Sequence, residues 1–335
     1  MAPNFLVIFL CFALGGTSGC KSPQDPGPPA EAKDYAHFIL GNPGDAQTST
    51  SPGLLLAGGG ADVDEAFLWL IRKSGGGDIV VLRASGGDAY NPYINRLGPV
   101  DSVETIITYT REASFSAFVL DRIEKAEALF IAGGNQADYV RLWKNTPLAD
   151  AVNGLARRGV PIGGTSAGLA VMGGFLYPGA LGSVTSEEAL ADPYHRLVIL
   201  EKDFLDLPHM AGIMTDSHFA ARDRMGRLIV FLARIIQDGW ASTVRGIGID
   251  EATAVVVEGD GSASILGRGT AFFLRPGSSP EVCSTGRPLT FRNIQLDKVG
   301  PGAAFHLGAW MGFGGRSDLI SVVEGRLESD SGSIY

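Results

Sequence analysis

Cysteine is scarce in this chain, with three in 335 residues. Cys11 lies in an apolar leader, Cys20 at the end of that leader, and Cys283 alone in everything that follows. The remainder therefore has no disulfide framework and no cysteine-based metal site. Basic residues are also few: 27 lysines and arginines stand against 36 acidic residues, a formal net charge of −9, and no basic block occurs anywhere. That balance argues against a nucleic-acid partner and mildly favours cationic substrates. No apolar run reaches the ~20 residues needed to cross a bilayer, and there is no internal repeat. What is present is an ordinary globular composition, 45% hydrophobic and 19% charged, long enough to bury a full core unaided.

The first twenty residues differ in kind. Phe5–Leu14 is an apolar run of signal-peptide length, and small residues 15–19 lead to Cys20. This predicts an export signal over residues 1–20, with Cys20 as a lipidated N-terminus in the manner of a bacterial lipoprotein box. Thr17 stands where leucine is usual, and the start MAPNF carries no lysine or arginine. Residues 21–35, with the proline-rich and charged stretch KSPQDPGPPAEA at their head, read as a tether, because they hold too little apolar surface to fold. The expected localisation is outside the cytoplasm: a periplasmic protein, a membrane-anchored lipoprotein or an extracellular one.

From about residue 36 to the end one α/β domain is expected. Short apolar strands at 54–57, 79–82, 103–107, 128–132 and 160–163 alternate with helical patterns at 63–72, 114–125 and 137–158. All-apolar strands of this kind belong to a parallel sheet covered on both faces, whose ligands bind beyond the carboxyl ends of the strands. Three such ends, at Gly58, Gly133 and Ser166, carry glycine clusters. Asp62 and Asp64 are placed to cap the helix at 63–72. After residue 245 the texture turns to β, with Asp260-Gly261 as a hairpin signal, and these segments read as added antiparallel strands of the same domain.

The candidate chemistry starts at Gly164-Thr165-Ser166-Ala167-Gly168, a G-x-S-x-G frame directly after an apolar run. A nucleophilic serine needs a sharp strand-to-helix turn, and Gly164 and Gly168 remove the Cβ atoms that would clash there. Serine also needs a base within hydrogen-bond reach. Of the five histidines, His218 alone follows an apolar strand, 213–216, and opens an arginine-rich helix expected over 220–236. His195 and His209 read as surface residues, His37 lies near the tether and His306 in the terminal region. On a helix, Arg222 shares a face with His218, which makes it the best residue to touch a substrate anion, while Arg224 and Arg227 read as a solvated opposite face. Asp250-Glu251 in GIGIDEATA read as pinning a turn after the sheet.

GTSAG around Ser166, AGGNQ at Ala132–Gln136 and DSHFAARDRMGRL at Asp216–Leu228 occur in that order, within roughly Leu54–Val257. Together they resemble the serine peptidases of family S51, the cyanophycinase and dipeptidase E group. The resemblance implies a flavodoxin-like parallel sheet of class I glutamine amidotransferase type, with no metal and no cofactor. It also implies Ser166 as nucleophile, His218 as base, the Ala167 and Gly134 N–H groups as oxyanion hole, and Gln136 as a contact to substrate polar atoms. The third catalytic member is implied to be an acid downstream of the serine; Glu188 in TSEEAL is assigned, with Glu187 and Asp216 as alternatives. Where the cyanophycinase pattern reads D-Q-H-F, this chain has Asp216-Ser217-His218-Phe219, a substitution within the substrate-recognition positions Asp216 and Ser217. The implied activity is hydrolysis of an aspartate-containing peptide. Cyanophycin, a polyaspartate backbone carrying β-linked arginine, is the leading substrate and Asp-X dipeptides the alternative, with a non-catalytic surface binding protein as a rival of another class. The expected partners are that peptide, a lipid anchor at Cys20 and a second copy of the chain in a homodimer.

Overall fold

The computed structural model describes residues 33–335, and Asp34–Tyr335 form one compact unit. The leader, Cys20 and residues 21–32 lie outside the described residues. The ordered unit reaches into the expected tether, since β1 (Tyr35–Gly41) starts at Tyr35. Among the described residues no helix is long and apolar enough to cross a membrane.

The first half runs β2 (Gly53–Ala57), α1 (Asp64–Lys73), β3 (Asp78–Arg83), α2 (Tyr90–Leu97), β4 (Ser102–Thr108), α3 (Ala117–Glu124), β5 (Ala128–Ile131), α4 (Gln136–Trp143), α5 (Pro147–Arg157), β6 (Ile162–Thr165) and α6 (Ala167–Ala170). The second half runs β7 (Phe175–Leu176), α7 (Ser186–Ala191), β8 (Glu201–Lys202), β9 (Ile213–Asp216), α8 (Met225–Gln237), β10 (Arg245–Ile249), β11 (Thr253–Glu258), β12 (Ser262–Gly267), β13 (Ala271–Pro276), β14 (Phe291–Val299), β15 (Ala304–His306), β16 (Met311–Phe313), β17 (Arg316–Val323) and β18 (Arg326–Ser329).

The fold is the expected α/β arrangement: β4-β3-β5-β6-β2 are parallel neighbours, closed on one side by antiparallel β1 and on the other by antiparallel β11. Each of the five parallel strands is buried on both faces. Leu54, Leu56, Val80, Leu82 and Ile131 face one core, while Leu55, Ile79, Val81 and Phe130 face the other with Phe67 and Leu70 of α1, the alternation that strand geometry imposes. The C-terminal strands divide between two sheets. β11, β12, β15 and β16 extend the first, whereas β10, β13, β14, β17 and β18 join β9, β7 and β8 in a second sheet of eight strands. α8 packs on this second sheet with Leu228, Phe231 and Leu232 in a separate core.

Four local readings need correction. The helix expected over 137–158 is two helices, because Pro147 holds Thr146 extended and starts α5 at its first turn. α2 was absent from the sequence pattern, since Pro92 and two asparagines hide it, although proline is tolerated in a first turn. α1 has Val63 at its N-cap with no side-chain cap; Asp62 and Asp64 instead accept the Tyr90 and Tyr93 hydroxyls at 3.1 and 2.7 Å. α8 begins at Met225, not at residue 220, so His218 and Arg222 precede the helix and the face argument that set Arg222 apart from Arg224 and Arg227 does not apply.

Candidate active site

Ser166 occupies the turn between β6 and α6 with φ 53° and ψ −112°, a backbone state costly for a residue with a Cβ. The surrounding glycines permit it. A Cβ on Gly168 would lie 2.0 Å from the Ile131 carbonyl oxygen, and one on Gly164 would lie 2.7 Å from the Gly168 backbone, so strand β5 and the turn can meet only where those atoms are missing. The result lifts the Ser166 hydroxyl out of the sheet edge.

His218 sits just beyond β9, in the second sheet, with φ 47°. Its N–H donates to the Gly58 carbonyl at 2.8 Å, which stitches the end of β9 to the end of β2. This brings His218 Nε2 to 2.7 Å from Ser166 Oγ, across 52 residues of sequence. Gly59, at φ +92°, passes directly beneath the ring: a Cβ there would lie 2.6 Å from both His218 Cε1 and Nε2. The 58–60 loop is thus a floor for the histidine, and Gly59 O also accepts the Ala252 N–H at 2.8 Å.

The acid beside His218 is Glu251, whose Oε1 lies 2.6 Å from Nδ1. It stands in the turn between β10 of the second sheet and β11 of the first, against Gly60. Glu188 is not that acid. It is the fourth residue of a capping box, accepting the Thr185 N–H at 2.9 Å and closing the first turn of α7, while Glu187 is exposed beside it. Asp216 is also excluded from the role, being buried and bound to arginines. Sequence reasoning had a signal for Glu251, because GIGIDE ends an apolar strand as the Ser166 and His218 segments do. Its neighbour Asp250 does pin a turn, accepting the Ala220 and Thr270 N–H groups at 2.8 and 3.2 Å.

The carboxylate at Nδ1 fixes the ring proton there and leaves Nε2 free to accept one from Ser166. Burial holds the His218 pKa below the ordinary histidine value; the bond to Glu251 opposes this, and the Arg222 and Arg224 charges add to it. The bond to His218 in turn holds Glu251 below the usual carboxylate range. At neutral pH the array is a neutral imidazole with an ionised carboxylate.

Beside the serine lies a polar cavity of about 70 Å³, lined among others by Gly134, Gln136, Ala167, Ser217, Arg222, Arg224 and Arg227. The Gly134 and Ala167 N–H groups have no hydrogen-bond partner among the described residues. Gln136 Nε2 donates to the Tyr177 carbonyl at 3.4 Å. Asp216 accepts from Arg227 at 2.7 and 2.6 Å and from Arg224 at 3.1 Å, and Arg224 also donates to the Ser217 carbonyl at 2.7 Å. Arg224 and Arg227 are therefore half-buried and buried members of the site and not a solvated helix face, with side chains 12% and 3% exposed. Arg222 has no acidic partner among the described residues, although its charge is felt at His218. Three guanidinium groups against one aspartate leave the cavity positive, suited to a carboxylate.

The other histidines lie elsewhere. His37 pairs with Glu104 at 2.7 Å, His209 with the Gly259 carbonyl at 3.0 Å, His306 Nδ1 accepts the Ala309 N–H at 3.2 Å, and His195 is half-buried near α7. Among the described residues no group of three or more histidine, cysteine or acidic side chains is arranged to hold a metal.

The model of Peptidase family S51 matches residues 100–265. A protein named cyanophycinase from Trichormus variabilis is 29% identical over 256 residues, covering 74% of this chain and 78% of the relative. One of the same name from Synechococcus elongatus is 28% identical over 278 residues, covering 78% of this chain and 81% of the relative. Among solved structures, a peptidase from an acI-B1 Actinobacterium superposes with a TM-score of 0.52 at 16% identity, covering 76% of this chain and 97% of that one, which bears on the fold.

Proposed function

This chain belongs to peptidase family S51, and on that premise we propose that it is a serine-type hydrolase cleaving an amide bond of an aspartate-containing peptide. Ser166 Oγ attacks the carbonyl carbon as its proton passes to His218 Nε2. The oxyanion is received by the Ala167 and Gly134 N–H groups, and the C–N bond breaks as His218 returns the proton to the leaving amine. Water, activated by the same imidazole, then hydrolyses the acyl-enzyme. Glu251 holds the ring and stabilises the imidazolium. The observation that carries this reading is the continuous chain from Ser166 Oγ to His218 Nε2 at 2.7 Å and from Nδ1 to Glu251 at 2.6 Å.

The arginine-lined cavity supports a substrate carboxylate next to the scissile bond, with Arg222 as its principal contact and Gln136 holding polar atoms. Cyanophycin, cleaved to β-Asp-Arg, is the leading substrate; its arginine side chains suit the acidic exterior implied by a net charge of −9. The small size of the cavity favours recognition of one acidic residue, which Asp-X dipeptides also offer. Incubation with insoluble cyanophycin and with Asp-X dipeptides separates the two, and release of β-Asp-Arg is the expected result. Fluorophosphonate uptake by wild type but not by Ser166→Ala tests the chemistry itself. No uptake by wild type sinks the hydrolase reading and leaves a surface binding protein. We further propose export through residues 1–20 with lipidation at Cys20; a Cys20→Ser variant that still fractionates with membranes refutes the anchor.

A further inference from the structure

The segment from His218 to Arg224 carries the base and two of the three cavity arginines, yet it is neither helix nor strand. Two of its non-glycine residues hold positive φ, His218 at 47° and Asp223 at 46°. Such states persist only where neighbours over-determine them. At the histidine end the ties are plain: the His218 N–H bonds to Gly58 O, Phe219 N–H to Ile249 O at 3.2 Å, and Ala220 N–H to Asp250 at 2.8 Å. At the arginine end Ser186 Oγ donates to the Asp223 carbonyl, and the Asp223 side chain and the start of α8 are held from 112 and 110 residues away.

That tie is Tyr335. Its hydroxyl donates to Asp223 Oδ1 at 2.7 Å and accepts the Met225 N–H at 3.0 Å, so one oxygen brackets Arg224 on both sides. Its ring stands edge-on to Phe219, the residue after the base, with centroids 6.1 Å apart, and edge-on to Phe272 of β13 at 5.8 Å. Phe219 in turn fills the space over Gly248, where a Cβ would lie 2.5 Å from its ring. Burial raises the phenol pKa, so the hydroxyl stays a donor at neutral pH. The final strands contribute nothing else to the cavity, whose lining ends at Arg227.

We propose that Tyr335 is a positioning residue of this site: its hydroxyl sets the Arg222–Arg224 end of the segment, and its ring sets the His218 end through Phe219. The kinetic part of this rests on the hydrolase reading above, whereas the structural part does not. The two groups separate the two ends. Tyr335→Phe keeps the ring and removes both hydrogen bonds; with an Asp-X dipeptide as substrate it is expected to raise KM about tenfold while kcat stays within about threefold. Tyr335→Ala also removes the ring, and kcat and the rate of fluorophosphonate labelling should then fall together. An independent readout is native-state trypsin cleavage after Arg222 and Arg224, expected to run about tenfold faster in Tyr335→Phe than in wild type. An unchanged KM, or an unchanged cleavage rate, overturns the proposal; a merely structural role would lower the folded fraction without moving KM. If wild type neither turns over nor takes up label, the hydrolase reading fails and the trypsin measurement alone decides whether Tyr335 holds the segment.

Discussion

The two walls of the cavity are built by different means. The Ser166 wall, at the carboxyl ends of β2, β5 and β6, is made by backbone: glycines where a Cβ would collide, positive φ at Ser166 and Gly59, and N–H groups left free. The opposite wall, beyond β9, is made by side chains: Asp216 gathers Arg224 and Arg227, Tyr335 brackets Arg224, and Arg222 is left unpaired by any acid among the described residues. The first wall offers little choice of geometry, since hard contacts fix it. The second is a balance of charges taken from water, and it is where a change in specificity costs least backbone. Glu251 and the Gly58–Gly60 loop join the walls, which is why the base and its acid depend on both sheets.

The joint is the place to break this arrangement with the largest effect. Glu251→Gln is expected to lower kcat by about 10³–10⁴ with little change in KM, because the imidazolium loses its counter-charge and the tautomer is no longer fixed. The pH profile carries a sign. In the proposed mechanism neutral His218 is the working form, so the rate is held above its pKa, which burial places below the ordinary histidine value, and is lost as pH falls through it. Glu251 raises that pKa, so the variant's residual activity should show its acid limb at lower pH than wild type; a limb that moves upward contradicts the assignment.

Gly59→Ala should follow, at roughly 10²-fold in kcat/KM. The added methyl meets His218 at 2.6 Å from both Cε1 and Nε2, and φ +92° strains it further. Fluorophosphonate labelling should slow in proportion, and a variant labelling at the wild-type rate would mean that the loop gives way and the floor is not rigid.

How much of this was legible in the residues follows the same division. The GTSAG turn is local, its five residues carrying the demand for missing Cβ atoms, and the parallel sheet is written in short apolar runs and glycine loops. The Ser166–His218 approach depends on strand ends that the pattern also marks. The acid was different. Glu188 and Glu251 both sit near strand or helix ends; Thr185 three residues before Glu188 is a local capping-box signal, whereas nothing local shows that the Glu251 carboxylate reaches an imidazole across two sheets. The arginines follow a related reason: helical spacing in the sequence runs back to residue 220, whereas the backbone turns sharply at Asp223 and α8 starts only at Met225. Tyr335 carries no signal at all, being 110 residues from its partner.

Asp216→Asn sharpens the account of the side-chain wall. Removing the one carboxylate that the buried Arg227 and the half-buried Arg224 share leaves those charges uncompensated, and breaking a buried pair such as Asp216–Arg227 costs about 3–5 kcal/mol. Urea unfolding should show a clear fall in midpoint, and for the folded fraction KM should rise more than kcat falls, because the network orients Arg224 while Glu251 and Gly58 still hold His218. A loss confined to kcat would shift Asp216 from the wall to the joint.

The smallest effect is expected at Glu188, and it is informative because two readings of that residue diverge by orders of magnitude. As the acid of a catalytic array its replacement would cost kcat as much as Glu251→Gln. As the last member of a capping box it accepts the Thr185 N–H and hydroxyl at 2.9 and 3.0 Å on an exposed helix start, and glutamine fills that place nearly as well. Glu188→Gln should therefore leave kcat, KM and the acid limb as in wild type and lower Tm only slightly, through the charge lost near the N-terminus of α7. The pair of amide variants, one silent and one severe, would locate the working carboxylate in the turn that links the two sheets and not on the helix that merely neighbours the cavity.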